Sequence, residues 1–157
     1  MISEEKLQEK INHLVSAAGV GGEFPVPVEK VVEHLGFACY FFEPDDRTMH
    51  ISGAVDHAEK KIYINKEESL QRQLFTVAHE LGHIILHGSN EDYVDYRDYS
   101  SNPKETEANN FAGHLLMPES IFRYVWKEKH GDVMALSRFF GVSASAIGVR
   151  ATILGLD

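Results

Sequence analysis

Residues 75–87 constrain the fold and chemistry of this chain more than any other segment, because they contain the pattern His-Glu-x-x-His at His79, Glu80 and His83. Residues four apart on an α-helix lie on one side, with Cβ atoms about 5–6 Å apart, so both imidazoles can reach one cation. Zinc binds such nitrogens at about 2.0–2.1 Å, in a tetrahedral arrangement that a third protein ligand and a water complete. Glu80 can take a proton from that water. The pattern therefore predicts metal-assisted hydrolysis of an amide.

Apolar residues around this pattern predict the helix that carries it. They recur at spacings of three and four beside the two histidines: Leu70, Leu74, Val77, Ala78, Leu81 and Ile85. Such a stripe is typical of a helix with one face in the core. Asn65 and Glu68 have the spacing of a capping box at the start of this helix. We therefore expect a helix that is buried on one side and carries the chemistry on the other.

Length and composition bound the class of protein. The 157 residues are predicted to form a single domain: N-terminal helices and a small sheet in 1–65, zinc-site helices in 66–118, and C-terminal helices in 119–157. The single cysteine, Cys39, excludes an internal disulfide. The first residues lack the apolar core of a signal peptide, and no apolar run approaches the roughly 20 residues of a membrane span. We therefore expect a cytoplasmic location and no membrane contact.

The order of the remaining segments predicts an α+β fold. Three strand-forming segments are expected to form a small antiparallel sheet of about three strands: residues 37–42, 51–56 and 61–64. This sheet is expected to pack on a mainly helical domain with helices at residues 3–19, 28–35, 66–87, 102–117, 119–130, 133–140 and 144–154. Residues 88–102 are polar and show no apolar periodicity, so we predict a surface loop there.

A third metal ligand is needed, and four residues compete for this role: Glu105, Glu107, His87 and His114. We favour Glu105, because Asn109 stands four residues later on the same helical face and could hydrogen-bond a metal-binding imidazole. Glu107 points about 160° away from Glu105 around the helix. Glu105 also lies three residues after Asn102, where a capping box would tie its carboxylate to the backbone. Both roles of Glu105 stay open at this point.

His87 continues the helical pattern one turn beyond His83. Its position drifts by about 40° around the helix axis per four residues, so we expect it to hydrogen-bond a ligand or to stabilise the end of the helix dipole rather than bind metal. Amide hydrolysis also needs a group that stabilises the oxyanion, the negative charge that develops on the carbonyl oxygen. The sequence does not decide between eight candidates for this role: His50, His57, Tyr63, Arg72, Tyr93, Tyr96, Arg97 and Tyr99. An extended substrate is expected to pair with the strand at residues 61–64 or 52–56.

Five ordered segments together resemble the ImmA/IrrE family of zinc metallopeptidases. They are Pro-Val-Pro-Val at 25–28, Lys-Ile-Tyr-Ile-Asn at 61–65, Arg-Gln-Leu-Phe-Thr-Val-Ala-His-Glu-Leu-Gly-His at 72–83, Glu-Thr-Glu-Ala-Asn-Asn-Phe-Ala at 105–112 and Leu-Leu-Met-Pro at 115–118. The resemblance covers most of the chain and implies a gluzincin-like, zincin-like domain with one zinc ion. It further implies that His79, His83 and Glu105 are the ligands and Glu80 is the general base. Asn109 matches the family's residue four positions after the third ligand.

The resemblance also implies a substrate and a setting. Members of this family cleave helix-turn-helix repressors of mobile elements and stress responses, so we expect a protein substrate of that class. Residues 136–154 are similar to a helix-turn-helix, yet Arg150 is the only strong charge in the second helix and the net charge of the chain is −9. We therefore expect packing or protein docking there and no direct nucleic-acid binding. The alternative function is a zinc-containing, non-catalytic module that regulates a transcription factor by contact.

Overall fold

The computed structural model describes residues 2–88, 93–96 and 102–156, which contain seven helices and four strands. In chain order these are α1 (Glu4–Ala17), α2 (Val28–His34), β1 (Ala38–Phe42), β2 (Ile51–Asp56), β3 (Lys61–Asn65), α3 (Leu70–His87), β4 (Tyr93–Tyr96), α4 (Pro103–Leu116), α5 (Glu119–Glu128), α6 (Val133–Phe140) and α7 (Ala144–Ile153). The predicted α+β class is confirmed. The chain divides into two compact units. One consists of Val28–Ala112, and the other combines Met1–Pro27 with Gly113–Asp157.

The sheet lies in the unit Val28–Ala112 and has four strands in the order β1-β3-β2-β4. Strand β2 is antiparallel to both β3 and β4, whereas β1 is parallel to β3. The predicted small antiparallel sheet of about three strands is therefore corrected to a mixed sheet of four. Side chains alternate with a period of two in either orientation, so the sequence pattern carries no direction for a neighbouring strand.

Strand β4 lies in the segment that we predicted to be a surface loop. That prediction is wrong for Tyr93–Tyr96, which pairs with β2. Positions 89–92 and 97–101 of the same segment lie outside the described residues. Four residues are too short for a recognisable pattern, and the strand depends on backbone hydrogen bonds to a partner that is distant in sequence.

The expected pairing of a substrate with residues 61–64 or 52–56 is wrong for this sheet. Strand β3 lies between β1 and β2, and strand β2 lies between β3 and β4. Both strands therefore already use the backbone groups on both of their edges. The outer edges of the described sheet belong to β1 and β4.

The start of α3 differs from the predicted capping box. Ser69 is the N-cap, and its side chain accepts a hydrogen bond from the backbone N–H of Arg72 at 3.1 Å. Asn65 instead donates its side-chain amide to the carbonyl oxygen of Ile51 at 3.0 Å, within the sheet. The box of Asn65 and Glu68 is therefore wrong: the side-chain oxygen of Asn65 accepts from the backbone N–H of Glu67 at 2.9 Å, and the carboxylate of Glu68 accepts from the hydroxyl of Ser52 at 2.9 Å.

Helix α3 is buried on every side along its middle. All residues from 76 to 83 are buried, because the helix contacts α2, β2 and β3 and also packs closely against α4. Leu81 of the predicted stripe is fully buried, whereas Leu70 is 81% exposed, so its assignment to the core is wrong. The prediction of one buried face is thereby corrected, since the apolar pattern of a helix does not show how many elements surround it.

Gly82 allows α3 and α4 to approach closely. A Cβ atom at this position would lie 3.0 Å from Cα and 3.1 Å from the carbonyl oxygen of Ala108, and 3.1 Å from Cβ of Phe111. Two of these three atoms belong to the backbone, which cannot rotate away as a side chain can. Any side chain at position 82 must therefore push the helices apart.

The C-terminal helices α6 and α7 have the geometry of a helix-turn-helix. They are bent by 103° and separated by Gly141, Val142 and Ser143, and Gly141 takes a left-handed φ of +70°. Arg150 is 4% exposed and donates from Nε to the carbonyl oxygen of Met117 at 3.0 Å. Among the described helices no single one is long and apolar enough to cross a membrane. Helices α6 and α7 together reach the length and apolar composition of a membrane span, but only as this bent pair.

We predict that Gly82→Ala destabilises the protein by about 1–3 kcal/mol, because the new methyl group overpacks the contact with Ala108. Gly113→Ala is the matched control in α4, since a Cβ there meets nothing within 4 Å. It should stabilise the helix by about 0.5–1 kcal/mol, as glycine is a poor helix former. Urea denaturation measures both, and equal free energies of unfolding for the two variants would contradict the close contact.

Candidate metal centre

Three side chains of α3 and one of α4 converge in the unit Val28–Ala112. His79, Glu80 and His83 each have one metal-ligand atom within 4.8 Å of the others. These residues are 5%, 0% and 0% exposed, respectively. Across from them, Oε2 of Glu105 lies 2.8 Å from Nε2 of His79, and Oε1 lies 3.1 Å from Nε2 of His83. One carboxylate therefore faces the same ring nitrogen of both histidines.

The separations of these donor atoms suit a single tetrahedral cation. Two ligands that each lie about 2.0–2.1 Å from zinc are about 3.3 Å apart. The observed separations of 2.8 and 3.1 Å from Glu105 to the two imidazoles are close to that value. A carboxylate that faces the lone pairs of two imidazole nitrogens is stabilised by a positive charge between them, which a divalent cation can supply. The nitrogen and oxygen donor set fits zinc.

Both histidines are also held at their other ring nitrogen. Nδ1 of His79 lies 2.7 Å from Oδ1 of Asn109, and Nδ1 of His83 lies 2.9 Å from Nδ1 of His87. An amide oxygen can only accept, so His79 carries a proton on Nδ1 and donates it to Asn109. This bond fixes the orientation of the ring and leaves the lone pair of Nε2 directed at Glu105.

His87 connects the site to Glu107, a less favoured candidate than Glu105 for the third metal ligand. Nε2 of His87 lies 3.3 Å from Oε1 of Glu107. Burial lowers the pKa of His87 below its usual value, and the hydrogen bond with Glu107 offsets this only in part. Glu107 thus contacts α3 at His87, the last residue of that helix. The sequence signal for this contact is a histidine at the end of the motif helix together with an acidic residue on the following helix, His87 and Glu107.

The fully buried Glu80 lies against the backbone of β2. A Cβ atom at Gly53 would lie 2.8 Å from Oε2 of Glu80 and 2.6 Å from Cγ2 of Thr76. The missing side chain of Gly53 therefore leaves the room that the carboxylate occupies, next to a register shift between Ile51 and Gly53. Sequence reasoning missed this role, although a glycine inside a strand is a known signal of close approach.

Other candidates have partners away from this cluster of side chains. His114 belongs to the other compact unit, where Nδ1 lies 2.9 Å from Oε1 of Gln8 and Nε2 contacts the carboxylate of Glu4. Three oxyanion candidates contact other residues: His57 with Phe37, Tyr63 with Tyr40, and Arg72 with Glu68. His50 is exposed. The side chains of Tyr93 and Tyr96 and the whole of Arg97 and Tyr99 lie outside the described residues, so the oxyanion-stabilising group stays unassigned.

Comparison with known proteins identifies a matching family and two proteins with similar sequences. Residues 36–152 match the family Peptidase_M78, the IrrE N-terminal-like domain. The chain is 38% identical over 74 residues to the radiation response metalloprotease IrrE of Deinococcus radiodurans, a stretch that covers 44% of this chain and 23% of that protein. It is 37% identical over 68 residues to the uncharacterized immunity region protein 2 of Bacillus phage phi105, covering 42% of this chain and 43% of that protein.

A solved structure of a Mycobacterium tuberculosis transcriptional regulator has the same fold. The two structures agree with a TM-score of 0.70 at 16% sequence identity, over 94% of this chain and 46% of that one. Each of the three matches thus covers less than half the length of the other protein.

We predict that Asn109→Ala weakens zinc binding roughly 10–100-fold, because His79 loses the acceptor that orients its ring. Asn110→Ala is the matched control, since Asn110 is the next residue on α4 and is exposed. Its zinc affinity should equal that of the wild type. Competition with a chromogenic chelator measures all three dissociation constants, and the same affinity for the two variants would exclude the proposed role of Asn109.

Proposed function

Because the chain belongs to the Peptidase_M78 family, we propose that it is a zinc-dependent endopeptidase that cleaves a regulatory protein, a helix-turn-helix transcriptional repressor. The observation that carries this proposal is the carboxylate of Glu105, which faces Nε2 of both His79 and His83 at 2.8 and 3.1 Å. Glu80 stands beside this ligand set on the same turn of α3. Two imidazoles, a carboxylate and an adjacent glutamate are the groups that metal-assisted amide hydrolysis requires.

The side chains divide the work of the proposed reaction. His79, His83 and Glu105 would hold one zinc ion, which when bound supplies a Lewis acid that polarises a peptide carbonyl and makes a water more acidic. Glu80 takes the proton from the attacking water and returns it to the leaving amine. The backbone at Gly53 restricts where the carboxylate of Glu80 can lie. Asn109 and His87 hold the two ligand histidines in orientation.

The proposed substrate class is supported by the relatives and by the C-terminal helices. One relative is named as a metalloprotease of the radiation response, and another is named for a phage immunity region, which favours a role in the control of a stress response or a mobile element. Exposed positions of α7 are uncharged: Ser145, Gly148, Val149, Thr152 and Ile153. This supports protein docking rather than direct nucleic-acid binding, because DNA phosphates attract basic side chains. The cytoplasmic location stays a prediction.

A second function is favoured by the burial of the site. Glu80 and His83 are both 0% exposed, which is typical of a metal that stabilises a fold. In that case the chain is a zinc-containing binding module that regulates a transcription factor by contact alone. The two functions differ in what they require of Glu80, since only the enzyme needs a base at that position.

We predict that Glu80→Gln keeps the zinc and the fold but lowers cleavage by about 100-fold or more, because the amide cannot accept the proton. The amide has the shape of the carboxylate and fits the same space against Gly53. Mapping of new N-termini in cells that express the wild type or the variant measures cleavage, and metal analysis of the purified proteins measures zinc content.

Glu67→Gln is the control, since it removes an exposed acid of the same compact unit. It should cleave as the wild type does. Equal relief of repression by Glu80→Gln and the wild type would favour the binding module over the enzyme. A wild-type chain that stays without zinc after metal repletion would refute the metal centre itself.

A further inference from the structure

Three side chains lead from the metal centre to the surface of α4. Nδ1 of His83 lies 2.9 Å from Nδ1 of His87, and Nε2 of His87 lies 3.3 Å from Oε1 of Glu107. Exposure of these side chains rises along the series, from 0% for His83 to 6% for His87 and 37% for Glu107. A fully buried ligand imidazole is thus connected to a carboxylate that water reaches.

The proton positions along this series follow from its two ends. When Nε2 of His83 faces a cation, the proton of that ring is on Nδ1 and donates to Nδ1 of His87. His87 then carries its own proton on Nε2 and donates it to the carboxylate of Glu107. This is the arrangement in which both contacts are hydrogen bonds.

We propose that Glu107 is a positioning residue of the metal centre: through His87 it fixes the tautomer and the ring orientation of His83 and so increases the zinc affinity of the site. The proposal rests on the metal centre of the proposed function. A carboxylate acceptor makes the bond from His87 charge-assisted, which polarises the ring and makes its Nδ1 a stronger acceptor. His83 thereby becomes a better donor to the metal.

The contrast with His79 shows why an acid is needed at this end of α4. His79 contacts the oxygen of Asn109, which can only accept, so the proton of this ring lies on Nδ1. His87 can place its proton on either nitrogen. If that proton were on Nδ1, two N–H groups would face each other across 2.9 Å and the ring of His83 would lose its acceptor. Glu107 accepts only at Nε2 and thereby selects the tautomer that accepts from His83.

Zinc affinity in two substitutions of Glu107 tests the proposal. We expect Glu107→Ala to weaken zinc binding roughly 10-fold, because His87 is no longer restricted to one tautomer. Glu107→Gln keeps an acceptor oxygen without the charge, so its loss should be smaller. Glu67→Gln removes one negative charge elsewhere in the same unit and should bind zinc as the wild type does. All four proteins are compared by chelator competition at low and high salt, since only a long-range charge effect disappears at high salt.

The histidine tautomers give a second readout that a merely structural role of Glu107 would not change. In the zinc-loaded wild type, nitrogen-15 NMR should show His83 protonated on Nδ1 and His87 on Nε2, and Glu107→Ala should shift His87 toward Nδ1. Wild-type affinity in Glu107→Ala, or a loss of affinity with an unchanged His87 tautomer, would overturn the proposal. If the wild type binds no zinc, this inference and the proposed function both fail. If the tautomers are as expected but no cellular protein is cleaved, the endopeptidase alone fails.

Discussion

The close contact between α3 and α4 at Gly82 is the constraint on which the metal centre depends. Gly82 lies between the two histidines in sequence, and Ala108, which it touches, lies between Glu105 and Asn109. The groups that converge are therefore attached within one turn of the contact. A shift of the helices by 1 Å would move Glu105 and Asn109 together relative to both imidazoles. The separations near 3 Å between Glu105 and the two imidazoles would not survive a shift of that size. The packing of Gly82 against Ala108 therefore controls the geometry of the site.

Burial gives the same site its rigidity. Glu80 and His83 are fully buried, and buried polar groups are stable only when hydrogen-bonded. Both histidines contact Glu105 at one ring nitrogen and a further side chain at the other, Asn109 for His79 and His87 for His83. The sheet supports the opposite side through the backbone at Gly53. Imidazoles held at both nitrogens cannot rotate freely, and this arrangement suits one cation.

Much of this arrangement is predictable from local sequence, and the errors have a common cause. Most helices and the first three strands follow from apolar periodicity and from residues such as Ser3 and Gly141 at helix ends. The mixed sheet, strand β4, the cap at Ser69 and the exposure of Leu70 do not. Each of these features depends on residues that are distant in sequence. Strand β1 pairs with β3, and strand β4 pairs with β2. The side chain of Asn65 bonds to Ile51, and the exposure of Leu70 depends on where the neighbouring elements lie.

The sequence by itself determined the candidate metal ligands of α3 and the spacing of Glu105 and Asn109 on the following helix, because both are periodicities within a single helix. It left open whether Glu105 caps its own helix or faces the histidines, and which residue Glu107 contacts. Only the tertiary structure decided these points. The depth at which two helices pack depends on Gly82 and Ala108 together, and a contact between two surfaces is not contained in the pattern of either one.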